Sequence, residues 1–467
     1  MDYQPPPNGF RTFLILWASQ SISVFGSALA FFSINIWLTQ SLYPLPGQKP
    51  QLALALSAVG LAFGLPVVFG APIAGAWADR HDRKRTMIVA DFISGCLSLI
   101  LMVLLLENAL QLWMLIALVA LFAFVAAFHG AAFDTSYAMI VPEPQLPRAN
   151  GLMQTIWSLS GILSPMIAAA IISIPALARQ GLLPGDLGSN LAGLSSGVPL
   201  AIGIDAVTFF FAAAVPLFLF IPSPKRTDLE SGDGKARQSL WADIRIGAMY
   251  IWDRRPLLWL LGTFTVANFC SGPLGVFQPL MIKFNLAADW GGRGFTFETA
   301  LAALATVGAV GGVVGGLFIS AWGGLKRRRV YGVIVSLIVS GLAQVVFGLS
   351  SWFYLAAGML FVIEGMIPIM NSHSQTIWQT QTPRELQGRV FSVRRLIAQF
   401  TWPLSTVFAG WAGGVFDPGA VIAVLGAILA VFCTAQLFNP YLLKVEDKAW
   451  LDELAESRVV RGGESVS

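Results

Sequence analysis

The sequence predicts an all-α membrane protein of twelve transmembrane helices arranged as two six-helix halves. Three observations carry that prediction. Of 467 residues, 56% are hydrophobic and only 12% charged, which is more apolar surface than a water-soluble fold of this length could hide. The apolar residues gather into twelve runs, each close to the roughly 20 residues that cross a hydrocarbon core of about 30 Å as a helix. Of the 29 Lys and Arg residues, 25 fall on one side of the resulting topology, and positive charge is retained on the cytoplasmic side.

Taken in order, the spans are expected at Phe13–Leu38, Leu52–Ala76, Met87–Leu106, Leu112–Ala132, Gly151–Ile174 and Leu200–Ile221. The second set is expected at Leu257–Ile282, Thr299–Ala321, Val330–Leu349, Trp352–Met370, Val390–Ala412 and Ala420–Leu442. An even number of spans puts both termini on one face, and the cations make that face cytoplasmic. Only Lys49, Arg179, Lys283 and Arg293 are left outside. The net charge of +4 reflects this topology and gives no reason to expect nucleic-acid binding. The implied location is the cell inner membrane, with the bilayer as the one obligatory partner and a monomer as the expected state.

The expected organisation is a first bundle over 1–222, a cytoplasmic linker over 223–256, a second bundle over 257–443 and a cytoplasmic tail over 444–467. Within the linker, Leu240, Ile244, Ala248 and Ile251 recur at helical spacing, with Asp243, Arg245 and Asp253 off the stripe. That pattern predicts a surface helix along the inner leaflet. Val141–Asn150 before span 5 and Thr382–Arg389 before span 11 share Pro, polar residues, Leu and a cation, which points to a decayed internal duplication.

Several function classes are excluded by what is missing from the sequence. There is no phosphate-cradling Gly-x-x-x-x-Gly-Lys-Ser/Thr, no His/Cys metal pattern and no nucleophile with a base, so no enzyme, cofactor or metal is expected. Cys96, Cys270 and Cys433 fall within spans at different depths and read as small core residues.

The densest charge in the chain comes directly after span 2: Gly75-Ala-Trp-Ala-Asp79-Arg80-His-Asp82-Arg83-Lys84-Arg85. Gly75 is expected to let span 2 approach a neighbour. Asp79 can accept hydrogen bonds at a helix N-terminus, and Arg83 can pair with an acid ending span 4, where Asp134 stands. With Arg80 and Lys84, these form a candidate latch stabilising one of two conformations. For the basic residues alone, a positive-inside anchor is the simpler role.

The spacing Gly-x-x-x-Asp-Arg-x-x-Arg-Lys resembles the loop between helices 2 and 3 of the major facilitator superfamily. Span 5 carries Ser160-x-x-x-Ser164-Pro165-x-x-Ala168-Ala169, similar to the superfamily's antiporter motif with small residues in place of its glycines. In span 4, Phe122 stands where many proton-driven drug exporters have an arginine. Across the twelve spans the chain resembles the macrolide-efflux and enterobactin-exporter branch through Arg80-His-Asp-Arg-Lys84, Phe128-His129, Ile204-Asp205 and Gly388-Arg-Val-Phe-Ser392. The resemblance implies two parallel six-span halves with a substrate path between them, alternating access, and efflux. It supplies the expectation of a multidrug-resistance antiporter, which composition and topology alone do not.

Polar groups inside hydrocarbon are costly and so are candidates for function. Glu364 near the middle of span 10, Asp205 in span 6 and Asp91 in span 3 are the proton-coupling candidates. Glu364 could exchange a proton or hold a cationic group; a carboxyl hydrogen-bonded to a neighbouring helix is the plain alternative. Asp91 could equally belong to the cytoplasmic charge network, and Asp205 to helix packing. Gln20, Gln154, Asn268, Gln278, Gln399 and Trp402 are substrate-cavity candidates, with helix-to-helix hydrogen bonding the competing role for the amides. His129 and His373 are expected at the interface. Ser160, Ser164, Pro165, Gly308, Gly312 and Gly316 are expected to pack helices closely, with Gly311 and Gly315 one position over making an overlapping small-residue face.

The expected function is export of a hydrophobic or amphiphilic small molecule, drug- or macrolide-like, in exchange for protons. Export of a siderophore or flipping of a lipid-like molecule is the alternative within transport, and a scaffold or receptor without flux is the alternative outside it.

Overall fold

The computed structural model describes residues 6, 8–78, 80–182, 185–221 and 240–454, and no strand occurs among them. Six long helices come from the first part of the chain: α1 (Gly9–Ile36), α2 (Lys49–Ala78), α3 (Arg83–Leu106), α4 (Leu112–Ile140), α5 (Leu146–Arg179) and α6 (Val198–Ala214). Six more come from the second part: α7 (Arg255–Ser271), α8 (Phe297–Trp322), α9 (Arg329–Leu349), α10 (Phe353–Gln381), α11 (Arg384–Val415) and α12 (Pro418–Gln436).

Eleven helical stretches among the described residues are long and apolar enough to span a membrane. The one left out is α11, because Arg384, Arg389, Arg394 and Arg395 open it and Thr401, Ser405 and Thr406 dilute its apolar second half. Its 32 residues are ample in length, at 1.5 Å per residue.

Most helices outrun the spans expected from the sequence, because terminal turns continue through polar residues into the interface. Two breaks have local causes. Pro273 has no N–H to donate, so α7 stops at Ser271 and resumes as a short helix, Leu274–Leu280. Pro216 turns the end of α6 into a tight turn over Val215–Phe218.

The chain divides into two compact units, Met1–Gly232 with Trp290–Thr306, and Asp233–Asp289 with Val307–Ser467. In the first, α1 packs on α5 and α6, α2 on α4, and α3 on α4 and α6. In the second, α7 packs on α11 and α12, and α9 on α10 and α12. Contacts of the α8 glycines add α8 on α10. Advancing each number by six turns the first set of pairs into the second. The first helix of each set also ends alike: α1 closes in a wide π-type turn at Trp37–Leu42, and the α7 extension closes in one at Met281–Asn285. Wide turns of this kind are rare, so their recurrence is a second mark of the repeat.

Close packing is carried by fewer glycines than spacing suggested. A methyl group at Gly311 or Gly315 would run into the backbone carbonyl of Phe361 or Gly365 on α10, and one at Gly308 would lie 3.1 Å from Leu360. At Gly316 it would meet nothing within 4 Å, and at Gly312 only the Glu364 carbonyl at 3.8 Å. The tight face is therefore 308–311–315. Gly312 and Gly316 lie off it, because α8 turns a different stripe toward α10. Gly75 is corrected in the same way: an added Cβ there meets nothing within 4 Å, so no neighbour requires a glycine in this arrangement. Ser160 and Ser164 are buried on α5, and Ser164 Oγ lies 3.4 Å from the Phe25 carbonyl of α1. With buried Pro165, they occupy the expected packing positions.

The linker helix runs Leu240–Asp253 and packs on α11. Its buried stripe is Gly247, Tyr250 and Ile251, while Ala248 is exposed. Gly247 sits against the Arg389 carbonyl, where a Cβ would lie 2.6 Å away; this close approach rotates the helix from the expected phase. Residues 222–239 and 455–467, parts of the expected linker and tail, lie outside the described residues.

Candidate functional site

The loop after α2 is built from helix ends. Asp82 caps α3, accepting from Arg85 N at 3.0 Å, a bond of the kind that contributes about 1 kcal/mol. Arg83 is buried and donates to the Ala78 carbonyl at 3.2 Å and the Thr135 carbonyl at 3.3 Å, joining the C-terminal ends of α2 and α4. Lys84 Nζ donates to the Leu217 and Leu219 carbonyls at 3.0 and 2.9 Å, closing the end of α6. Cations at carbonyl ends match the helix dipole. Lys84 thus does more than anchor the loop. Arg80 and Asp134 are exposed. Asp79 lies outside the described residues.

Inside the first unit, two acids are sealed in the bundle. Asp205 is 2% exposed and accepts from Ser98 Oγ at 2.6 Å and Ser27 Oγ at 3.2 Å. Asp91 is 1% exposed and accepts from Gln20 Nε2 at 3.0 Å. His129 Nε2 stands 3.3 Å from its other oxygen, off the hydrogen-bond axis. Asp91 therefore belongs to the bundle core, because α3 turns it toward α1 and α4. Gln20 is a cross-link between helices, and Gln154 is exposed on α5. Phe122 packs edge-on to Phe209, ring centres 5.5 Å apart.

Inside the second unit lies a cavity of about 490 Å³, within the range of small-molecule sites. Glu364, Asn268, Gln278 and Trp402, four of the residues expected from sequence, meet in its wall. Glu364 makes no hydrogen bond or ion pair among the described residues, and its stem rests against Gly308. Asn268 Nδ2 lies 3.4 Å from the Ala398 carbonyl, and Gln278 Nε2 has no partner. Trp402 is 38% exposed. The side chain of Gln399 lies outside the described residues.

Sequence reasoning missed Arg394, Ser271 and Asn371 in the same wall. Counting Arg394 among the cytoplasmic cations overlooks that α11 is already helical from Arg384. Ten residues of helix raise Arg394 about 15 Å from that end. It donates to Gln375 Oε1 at 2.8 Å and Ser374 Oγ at 3.3 Å, and its guanidinium stands 5.3 Å from the Trp378 ring centre. Spacing carries a faint signal, since Arg394 and Arg395 are the cations of the cluster nearest the apolar stretch of the span.

His373 is buried at the loop between α8 and α9. It is 2% exposed, its Nε2 accepts from Leu325 N at 3.0 Å and its Nδ1 faces the Ile369 carbonyl at 2.7 Å. Those partners place the ring hydrogen on Nδ1. The loop between α8 and α9 needs the left-handed Gly323 and Gly324 (φ 76° and 72°) to reach the ring.

Residues 16–406 match the Major Facilitator Superfamily. The chain belongs to that family. Among curated members, macrolide efflux protein A of Streptococcus pyogenes is 24% identical over 402 residues, covering 85% of this chain and 88% of that protein. The multidrug efflux pump Tap of Mycolicibacterium fortuitum is 24% identical over 407 residues, covering 84% and 89%. Among solved structures, a bacterial homolog of the human lysosomal transporter Spinster, in an inward-facing and unoccupied conformation, superposes with a TM-score of 0.62 at 16% identity, covering 97% of this chain and 96% of that one. Membership in the Major Facilitator Superfamily makes the protein a multi-pass membrane transporter rather than an enzyme.

Proposed function

We propose that the protein exports a hydrophobic or amphiphilic small molecule by alternating access, in exchange for protons. The observation that carries this reading is Glu364, a carboxyl with no partner among the described residues, in the wall of a cavity of about 490 Å³. Trp378, Trp402, Met366 and Met370 give the same wall apolar surface, while Asn268 and Gln278 give it hydrogen-bonding groups. An unpaired carboxyl in such a place favours either a proton or a cationic group of the cargo, and competition between the two is an exchange mechanism. The 24% identity to a macrolide efflux protein supports a drug-like cargo. The cation distribution supports cytoplasmic termini in the inner membrane, and the protein acts as a monomer in this reading.

Proteoliposomes with an imposed pH gradient and radiolabelled erythromycin test it. Wild-type protein is expected to move the macrolide only with the gradient, and Glu364→Gln to lose that dependence while inserting normally. Gradient-driven flux undiminished in Glu364→Gln overturns the role of this residue; no flux of erythromycin or other amphiphiles overturns the export reading in favour of a scaffold.

Arg394 in the same wall favours a second reading, an acidic amphiphile such as a siderophore or a lipid-like molecule. Transport of an acidic amphiphile lost in Arg394→Gln but kept in Glu364→Gln would select it.

A further inference from the structure

We propose that Asp91 and His129 form a second proton-binding site, inside the first unit, with Gln20 as its positioning residue. The inference rests on the exchange of protons proposed above and adds a site that the Glu364 cavity does not contain.

The geometry begins with spacing. Gln20 and Ser27 on α1, Asp91 and Ser98 on α3, and Ala212 and Asp205 on α6 are each seven residues apart, two helical turns or about 10 Å. Gln20 bonds to Asp91 and lies 3.4 Å from the Ala212 carbonyl, while Ser27 and Ser98 bond to Asp205. Three helices thus carry two polar layers, with buried Ser23 and Ser94 between them.

The layers differ in how well they are satisfied. Asp205 has a hydroxyl on each oxygen and is closed. The Asp91 layer is unfinished: Gln20 Oε1 is buried without a partner although Gln20 is 4% exposed, and His129 Nε2 faces the carboxylate without completing a hydrogen bond. Buried polar groups are rarely left in this state. The His129 side chain is 21% exposed, while its Nε2 is sealed beside Asp91; Asp205 is 2% exposed.

Charge then ties proton binding to helix position. With both ring nitrogens of His129 protonated, the imidazolium and the carboxylate are neutral as a pair; with one proton fewer, a single carboxylate charge remains among packed helices, which only water or new hydrogen bonds can offset. Gln20 holds α1, α3 and α6 together around that carboxylate. A proton taken by His129 from water on one side keeps the three helices joined, and its release to water on the other requires Asp91 to be hydrated, hence the helices to part. On the helices that form the site, the other charged or titratable groups are Asp134 on α4, exposed but within electrostatic range of His129, and Tyr137 three residues on; Asp205 on α6, two turns away; Cys96 on α3 and Arg83, Lys84 and Arg85 at its start, the first two held by carbonyls; and Arg11 at the start of α1. On α1, the Gln20 layer carries no charge.

The chain has three histidines, so ring-labelled histidine in the full-length protein gives three NMR resonances, assigned with His81→Gln and His373→Gln. No transport substrate is needed. The expected result is a His129 resonance that titrates, with a midpoint displaced by at least about one pH unit in Asp91→Asn and unmoved in Asp205→Asn. A His129 resonance that does not titrate, or one indifferent to Asp91→Asn, overturns the proposal. In erythromycin proteoliposomes, Asp91→Asn and His129→Gln are expected to lose the movement driven by the pH gradient; undiminished gradient-driven movement in both overturns it. Absence of wild-type erythromycin flux counts against the export reading alone, and the resonance then decides the proton site by itself.

Discussion

The two units solve the problem of polar groups in hydrocarbon in opposite ways. In the first, Asp205, Ser27 and Ser98 are folded inward and bonded to one another, and Asp91 accepts from Gln20, whose Oε1 alone is left over. In the second, Glu364 and the Gln278 Nε2 face a cavity and have no hydrogen-bond partner among the described residues. As polar residues in apolar runs, all of them look alike. What separates them is whether the neighbouring helix supplies a donor. A bonded group holds the bundle together, and an unbonded group beside empty space is available to a ligand.

The comparison would break if the cavity were only loose packing, and α8 provides the largest expected effect. Gly315→Leu places a side chain against the Gly365 backbone, which cannot shift as a side chain would, and is expected to cost about 3 kcal/mol or more. Gly316→Leu, one residue along, points into open space and should leave thermal stability in detergent unchanged. Equal effects of the two would mean that α8 and α10 are not held as described.

The next test sharpens the difference between bonded and unbonded acids. Ser98→Ala removes the shorter hydrogen bond of Asp205 and should destabilise by about 2 kcal/mol. Glu364→Gln removes a charge with no protein partner and should change stability by less than about 0.5 kcal/mol while altering transport. Apparent Tm measured for the pair should fall only in the first.

Smaller effects are expected at the α3 entry. Asp82→Ala deletes the cap and should cost about 1 kcal/mol; Lys84→Met uncovers two carbonyls at the end of α6 and should cost about 0.5 to 1 kcal/mol. Amide exchange in the first turn of α3 and the last of α6 locates each loss. The smallest change belongs to Gln278→Leu, which removes a donor that is already unpaired and should leave Tm level or slightly raised.

Much of the fold was legible in the sequence because hydrocarbon imposes one rule on every span. Run length gave the helices, and Gly75–Arg85 gave the resemblance. Glu364, Asn268, Gln278 and Trp402 were legible as candidates for the cost of polar or interfacial groups at depth. The same rule is silent on partners: Gln375 and Ser374 of α10 for Arg394, Asp91 of α3 for His129, and Leu325 of the α8–α9 loop for His373.

Composition alone determined that this chain threads a membrane many times. A single span meets lipid as its solvent, and its own residues decide whether it can enter. Helix rotation was decided only by tertiary structure: Gly311 and Gly315, not Gly312 and Gly316, meet α10, and Asp91 turns to Gln20 while Glu364 turns to a cavity. In spans so uniformly apolar, no stripe in the sequence marks the inward face, so the neighbours' shapes and hydrogen bonds set it.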